Sequence, residues 1–197
     1  FLGHEAVRIE QNVIKEDVGS QDQLWAAFGG TNFIEFKQDG EFSVTPLIMK
    51  NQTVESLDSH MMLFFTGLTR FSTDIAVEKI NNISNRQTQI ELLREMAYEA
   101  RNILQQDHCE IRDVGEMLHR SWEFKRQLAS GVTNSLIDDI YQQAIDAGAY
   151  GGKLLGAGGG GFMMFLAPPN THQDVKKRLC NLIHVDVKTG ACGSKIV

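Results

Sequence analysis

Residues 151–165, GGKLLGAGGGGFMMF, crowd glycine between two short apolar runs. A backbone this permissive is used where the chain must approach a ligand closely or bend where a side chain would clash. No packing requirement visible in the sequence accounts for the density, so a ligand-facing loop is the expectation and a plain hairpin connection the alternative. The stretch matches G-x-G-x-x-G at Gly156, Gly158 and Gly161. The dinucleotide fingerprint, however, leaves a strand and opens a helix, whereas Phe162, Met163, Met164, Phe165 and Leu166 form an apolar run closed by Pro168 and Pro169. That run reads as a strand. The pattern G-x-x-x-x-G-K-[ST] fails as well, because Ala147 stands at its first glycine and Leu154 follows Gly152-Lys153 where a hydroxyl is required. The unit predicted is strand, glycine loop, strand.

A chain of 197 residues can bury a sizeable core as one large domain or two small ones. Its formal net charge of −6 excludes the basic footprint of a nucleic-acid binder. Cys109, Cys180 and Cys192 lie far apart and form no C-x-x-C, so neither a disulfide framework nor a zinc site is indicated, and a reducing, cytoplasmic setting fits. The apolar runs are too short to span a bilayer, so no membrane segment is expected.

Leu2, Ala6, Ile9 and Val13 recur at helical spacing with no capping residue before them. The chain therefore reads as opening inside an element, as the carboxyl-terminal portion of a longer protein. Ser20 and Gln23 have the spacing of a capping box, which predicts a short helix from about Gln21 to Ala27, stopped at Gly29-Gly30. Two strands follow, Asn32 to Phe36 and Glu41 to Pro46, joined through Asp39-Gly40. The polar stretch from Ile48 to Ser59 is taken as a domain boundary. Met61 to Thr66 reads as a buried strand ended by Gly67, followed by a helix from near Ser72 and Thr73. Amphipathic helices are predicted over 86–106 and 111–128, with a third from Thr133 to Gly148. After the glycine unit come a helix opened by Thr171 and two terminal strands around Gly190. Strands mixed with longer helices, with an antiparallel unit near the end, argue α+β and not a doubly wound sheet.

Asp22 falls in the first turn of its helix, where free N–H groups and the macrodipole favour a carboxylate by about 0.3–1 kcal/mol. A carboxylate fixed there can orient a substrate hydroxyl or accept its proton; most first-turn acids only complement the dipole. Lys153, Arg70 and Lys125 are cations able to pair with phosphate. Lys153 adjoins the loop, whereas Lys125 reads better as a solvated, snorkelling side chain. Trp122, Met61, Met62, Met163 and Met164 are assigned to the core.

Three of these segments, GSQDQLWAAFGG at 19–30, FFTGLTRFS at 64–72 and GGKLLGAGGGGFMMF at 151–165, together resemble the GHMP kinases of small metabolites. WEFKRQL at 122–128, NSLIDDIY at 134–141 and GGTNFIEF at 29–36 are similar to the branch that handles heptoses and related sugars, and the resemblance covers essentially the whole chain. It implies an α+β architecture: the remainder of the family's amino-terminal domain over 1–50, then a ferredoxin-like carboxyl-terminal domain over 57–197. It implies that Asp22 is the catalytic carboxylate acting on an anomeric hydroxyl and that Thr66, Gly67, Arg70 and Lys153 bind substrate. Gly156, Ala157, Gly158, Gly159 and Gly160 would form a phosphate loop, with metal ligands unassigned. ATP and Mg2+ are the implied cofactors, and a heptose 7-phosphate is the implied acceptor, with galactose- or fucose-type sugars as alternatives. The implied partners are thus small molecules, with neither nucleic acid nor membrane, and room is left for a homodimer. The family's Pro-x-x-x-Gly-Leu-Gly-Ser-Ser loop, which holds the ATP phosphates, has no counterpart here and belongs upstream of the opening helix. This chain alone is therefore expected to be inactive, and a non-catalytic module that keeps the fold is the reading from another class.

Overall fold

Asp39 and Gly40 make the turn that the sequence predicts: Gly40 takes φ 84°, and the Asp39 carboxylate accepts the Glu41 N–H at 3.0 Å. The hairpin they close pairs β1 (Asn32–Phe36) with β2 (Phe42–Pro46), in register from Asn32 opposite Pro46 to Phe36 opposite Phe42. The structure is a computed structural model that describes residues 1–16, 18–68, 86–129, 131–156 and 158–195. It divides into two compact units, Phe1–Ile48 with Lys188–Val197, and Met49–Val187. Arg70, Ala157 and the helix expected from Ser72 and Thr73 lie outside the described residues.

In the first unit α1 (Leu2–Arg8) runs on as a π-helix over Ile9–Ile14, which ends at Lys15 with φ 64°. The next helix, α2 (Gln21–Phe28), lays its buried Leu24 against Gly3 of α1, where a Cβ would come within 2.8 Å of the leucine. Ser20 is the N-cap residue, but the capping box does not form. The Ser20 hydroxyl instead accepts from Gln11 at 3.1 Å, and the Gln23 amide donates to Glu10. Both side chains tie α2 to the π-helix, so tertiary partners displace the local cap. Gly29 follows α2 at φ 63° and meets the backbone of Cys192 and Gly193 so closely that a Cβ has no room. Of the two terminal strands expected around Gly190, one is present among the described residues, in the second unit; beyond Gly190 the described residues form a bridge between Gly29 and Cys192. The reason is the partner. Ala191 and Ser194 bond to Gly30 and Ala26, around the irregular end of a helix that offers no ladder to extend.

The second unit begins with a helix that the sequence reading did not assign. The polar stretch after Ile48 contains a helix, α3 (Asn51–His60), that buries Thr53 and Leu57, one turn apart. It leads straight into β3 (Met61–Phe65). The long helices α4 (Gln87–Leu104), α5 (Ile111–Lys125) and α6 (Ser135–Asp146) follow where the periodicity places them, and the Asn134 side chain caps α6 by accepting the Ile137 N–H at 3.0 Å. Then come β4 (Gly151–Leu154), β5 (Phe162–Leu166), α7 (His172–Arg178) and β6 (Ile183–Val185). All pairings are antiparallel, and the sheet runs β4-β5-β3-β6. This is the ferredoxin-like order within an α+β fold, as expected.

Strand alternation sends Met62, Phe64, Leu154, Met163 and Phe165 to one face, where they are buried with Trp122, Val132, Ile137, Ile140, Tyr141 and Val175. Each such large side chain contributes about 1.5–3 kcal/mol on burial. Met61 and Met164 lie on the other face and are only half-buried, unlike the core residues expected. Along the β4 edge lies α5, at backbone contact: a Cβ on Gly151 would run into the Gly115 carbonyl. Among the described residues no helix is long and apolar enough to cross a membrane.

Candidate functional site

The glycine loop leaves β4 after Leu154 and enters β5 at Phe162, with the Leu155 N–H on the Phe162 carbonyl at 2.9 Å closing its base. Three neighbouring segments hold it. At the end of β3, the buried Thr66 donates to the Gly161 carbonyl from both its N–H and its hydroxyl, each at 2.9 Å, and Leu68 accepts the Gly161 N–H at 3.0 Å. In the connection between α5 and α6, the Val132 carbonyl accepts the Gly159 N–H at 3.1 Å. From the last turn of α5, the Lys125 ammonium donates to the carbonyls of Leu154 and Gly156, each at 2.8 Å.

Lys125 is thus no solvated side chain, which corrects the sequence reading. Its acceptors are backbone carbonyls, which leave no trace in a sequence; the one available signal was its place in the last turn of a predicted helix.

The reading that packing could not account for the glycines is also corrected. A Cβ on Gly152 would enter the Phe165 ring, one on Gly158 would lie 2.7 Å from the Val132 Cα, and one on Gly160 would lie 2.5 Å from the Leu68 carbonyl oxygen. Gly156 and Gly161 are different: their neighbourhood is open, and glycine is required there by φ values of 69° and 100°. The anchoring uses the amides of Gly159 and Gly161, while those of Gly158 and Gly160 have no acceptor among the described residues.

Lys153 points to the opposite sheet face from the core, in a cross-strand row with Met164, Leu63 and Val185. Burial among apolar neighbours pulls its ammonium below the usual lysine range, and no hydrogen-bond or ion-pair partner meets it among the described residues. The structure therefore gathers Thr66, Gly67, Gly156, Gly158, Gly159 and Gly160 at one corner of the second unit, with Lys153 on the strand that feeds the loop. Asp22 belongs to the first unit, exposed in the first turn of α2. No group of three or more His, Cys, Asp or Glu side chains able to hold a metal occurs among the described residues.

The second unit is thus an α+β domain whose sheet hairpin opens into a pinned glycine loop with spare backbone donors. Residues 87–184 match the family of GHMP kinases C terminal. A D-glycero-alpha-D-manno-heptose 7-phosphate kinase of Campylobacter jejuni is 32% identical over 189 residues, which are 89% of this chain and 53% of that protein. The crystal structure of a D-glycero-D-manno-heptose 1-phosphate kinase from Bacteroides thetaiotaomicron superposes with a TM-score of 0.68 at 28% identity, covering 99% of this chain and 55% of that one. The bifunctional fucokinase/GDP-fucose pyrophosphorylase of Arabidopsis thaliana is 27% identical over 177 residues, 86% of this chain and 16% of that protein. The chain belongs to the GHMP kinases. It spans about half the length of the heptose kinases it matches.

Proposed function

We propose that this chain is the carboxyl-terminal part of an ATP-dependent sugar kinase that phosphorylates the anomeric oxygen of D-glycero-D-manno-heptose 7-phosphate. The observation that carries the reading is the glycine loop: it is fixed by Gly159 and Gly161 and leaves the Gly158 and Gly160 amides without acceptors among the described residues. Backbone amides in successive glycines suit phosphate oxygens, because they supply donors without bulk. Phosphoryl transfer is catalysed mainly by positioning and by stabilising charge, which is what such a loop offers. The identity with the Campylobacter jejuni heptose kinase supports the sugar.

In this reading Asp22 receives or orients the sugar hydroxyl proton, and the loop meets the transferred phosphate. ATP would supply the phosphoryl group, and a bound Mg2+ would supply positive charge to offset the charge that develops on it. The loop amides fit a phosphate of the nucleotide, whereas no residue of this chain is assigned to the ion. Both substrates are small and anionic, in keeping with a cytoplasmic setting.

Lys153 decides between substrates. A heptose 7-phosphate brings a second dianion, and a half-buried ammonium with no partner among the described residues is suited to meet it, since leaving either group unpaired in an apolar setting is costly. Replacing Lys153 by Met in the natural-length protein keeps the stem and removes the charge. Affinity for the heptose phosphate is expected to fall about ten- to a hundredfold, while weak turnover of the unphosphorylated heptose changes little. Steady-state kinetics on the two sugars check this, with Arg70 tested in the same way. Equal effects of both substitutions on the two sugars would move the second phosphate elsewhere and favour a kinase of the fucose type, the reading the Arabidopsis thaliana relative supports. Absence of turnover on any sugar would leave the non-catalytic module.

A further inference from the structure

We propose that Lys125 is a positioning residue for the glycine loop, acting through the backbone and not on substrate. The geometry at the end of β4 carries the argument. The Leu155 N–H points into the sheet, onto the Phe162 carbonyl. Across the same trans peptide the Leu154 carbonyl must point the other way, to the open edge of β4. There α5 lies alongside, and the ammonium at its last turn takes that carbonyl at 2.8 Å. One residue further Gly156 turns through φ 69°, and its carbonyl comes to the same ammonium, also at 2.8 Å. One charge therefore spans the exit from the strand and the first bend of the loop.

Gly156 is the position where the loop most needs an external hold. Nothing described lies within 4 Å of where its Cβ would stand, and as glycine it has little torsional preference of its own. Gly158 to Gly161 are confined by contact: Gly158 and Gly160 lie against Val132 and Leu68, the Gly159 N–H is held by Val132, and Gly161 is bonded on both sides. The Val132 support is itself braced. Arg126, the residue after Lys125, pairs with Asp138 at 2.9 Å and with Glu123 at 3.1 Å, and the Thr133 hydroxyl donates to Asp138 at 2.6 Å. The end of α5 and the connection that follows it thus hold the loop twice, through Lys125 at its entrance and through Val132 at its middle. The consequence is that the free amides of Gly158 and Gly160 are set in place before any ligand arrives, and donors fixed in advance favour the transition state over the ground state.

The proposal's kinetic arm rests on the kinase reading; its structural arm does not. Amide hydrogen exchange across 155–166 is compared in the natural-length wild type and in Lys125→Met, which keeps the packing of the stem. Charge-assisted hydrogen bonds of this kind predict exchange faster by about tenfold or more in the loop, with β3 and α6 unchanged. In kinetics on heptose 7-phosphate and ATP, kcat is expected to fall about tenfold or more while the sugar KM moves by less than about threefold. Lys125→Gln, a neutral donor, should fall between the two, and it serves in place of the methionine variant if that does not fold. Loop exchange equal to wild type overturns the proposal, as does acceleration spread evenly over the whole second unit, which would make Lys125 a general stabiliser. If the wild type turns over no sugar phosphate, the kinase reading fails, and exchange alone still decides the role of Lys125.

Discussion

Replacing Asp22 by Asn in the natural-length protein is expected to abolish most turnover, with kcat down by about 10²–10⁴-fold and the fold intact. The substitution keeps the shape of the side chain and removes its charge and basicity. Asp22 stands exposed in the first turn of α2, with no hydrogen bond or ion pair to another described residue. A side chain so placed has little structural work. If it only complements the helix dipole, its loss costs about 0.3–1 kcal/mol of stability and nothing in rate. A positioned carboxylate that handles the proton of the attacking hydroxyl carries several times that in the barrier. The two roles therefore separate cleanly in a pair of measurements, a thermal melt and a kcat determination at saturating sugar. A variant that melts slightly earlier and turns over normally would return Asp22 to the ordinary role of a first-turn acid.

What could be read from the sequence was whatever its own neighbours decide. The Asp39-Gly40 turn is local, and so is the 3.6-residue periodicity of α5 and α6, which bury Trp122 and Ile137 as their stripes require. The strand, loop and strand of residues 151–166 follow from glycine and apolar runs in plain order. The misses arise where a distant partner wins. Ser20 and Gln23 have the spacing of a cap, yet Gln11 and Glu10 claim their side chains. The helix α3 buries only Thr53 and Leu57, too thin a stripe for periodicity to register against its polar residues. Gly151 and Gly152 must be glycine because of Gly115 and Phe165, residues that only the fold brings near. The loop's amides and the two carbonyls that hold Lys125 are main-chain atoms, and composition says nothing about where they point. The candidate site was thus legible as a segment and as a chemistry; its supports were not.

The second large effect is expected at Gly158. Valine there would place its Cβ 2.7 Å from the Val132 Cα and 3.0 Å from the Val132 oxygen, both backbone atoms that cannot rotate away. It would also hold a β-branched residue at φ 126°, a region that L side chains rarely adopt. Strain and overpacking each cost about 1–3 kcal/mol, so a loss of about 2–6 kcal/mol is expected in the second unit. The loop must then move off Val132, breaking the Gly159 bond and displacing the amides that the proposed phosphate would use, so turnover falls with stability. Gly161→Ala is the control, because at that position space is open and only φ is strained; it should cost about 1 kcal/mol. Chemical unfolding of the three proteins, with nucleotide affinity measured on each, ranks the effects. If Gly158→Val unfolds at the same denaturant concentration as wild type, the contact with Val132 does not confine the loop. If it is destabilised as expected while nucleotide affinity and turnover persist, the glycines serve packing alone, and the spare amides have no part in binding phosphate.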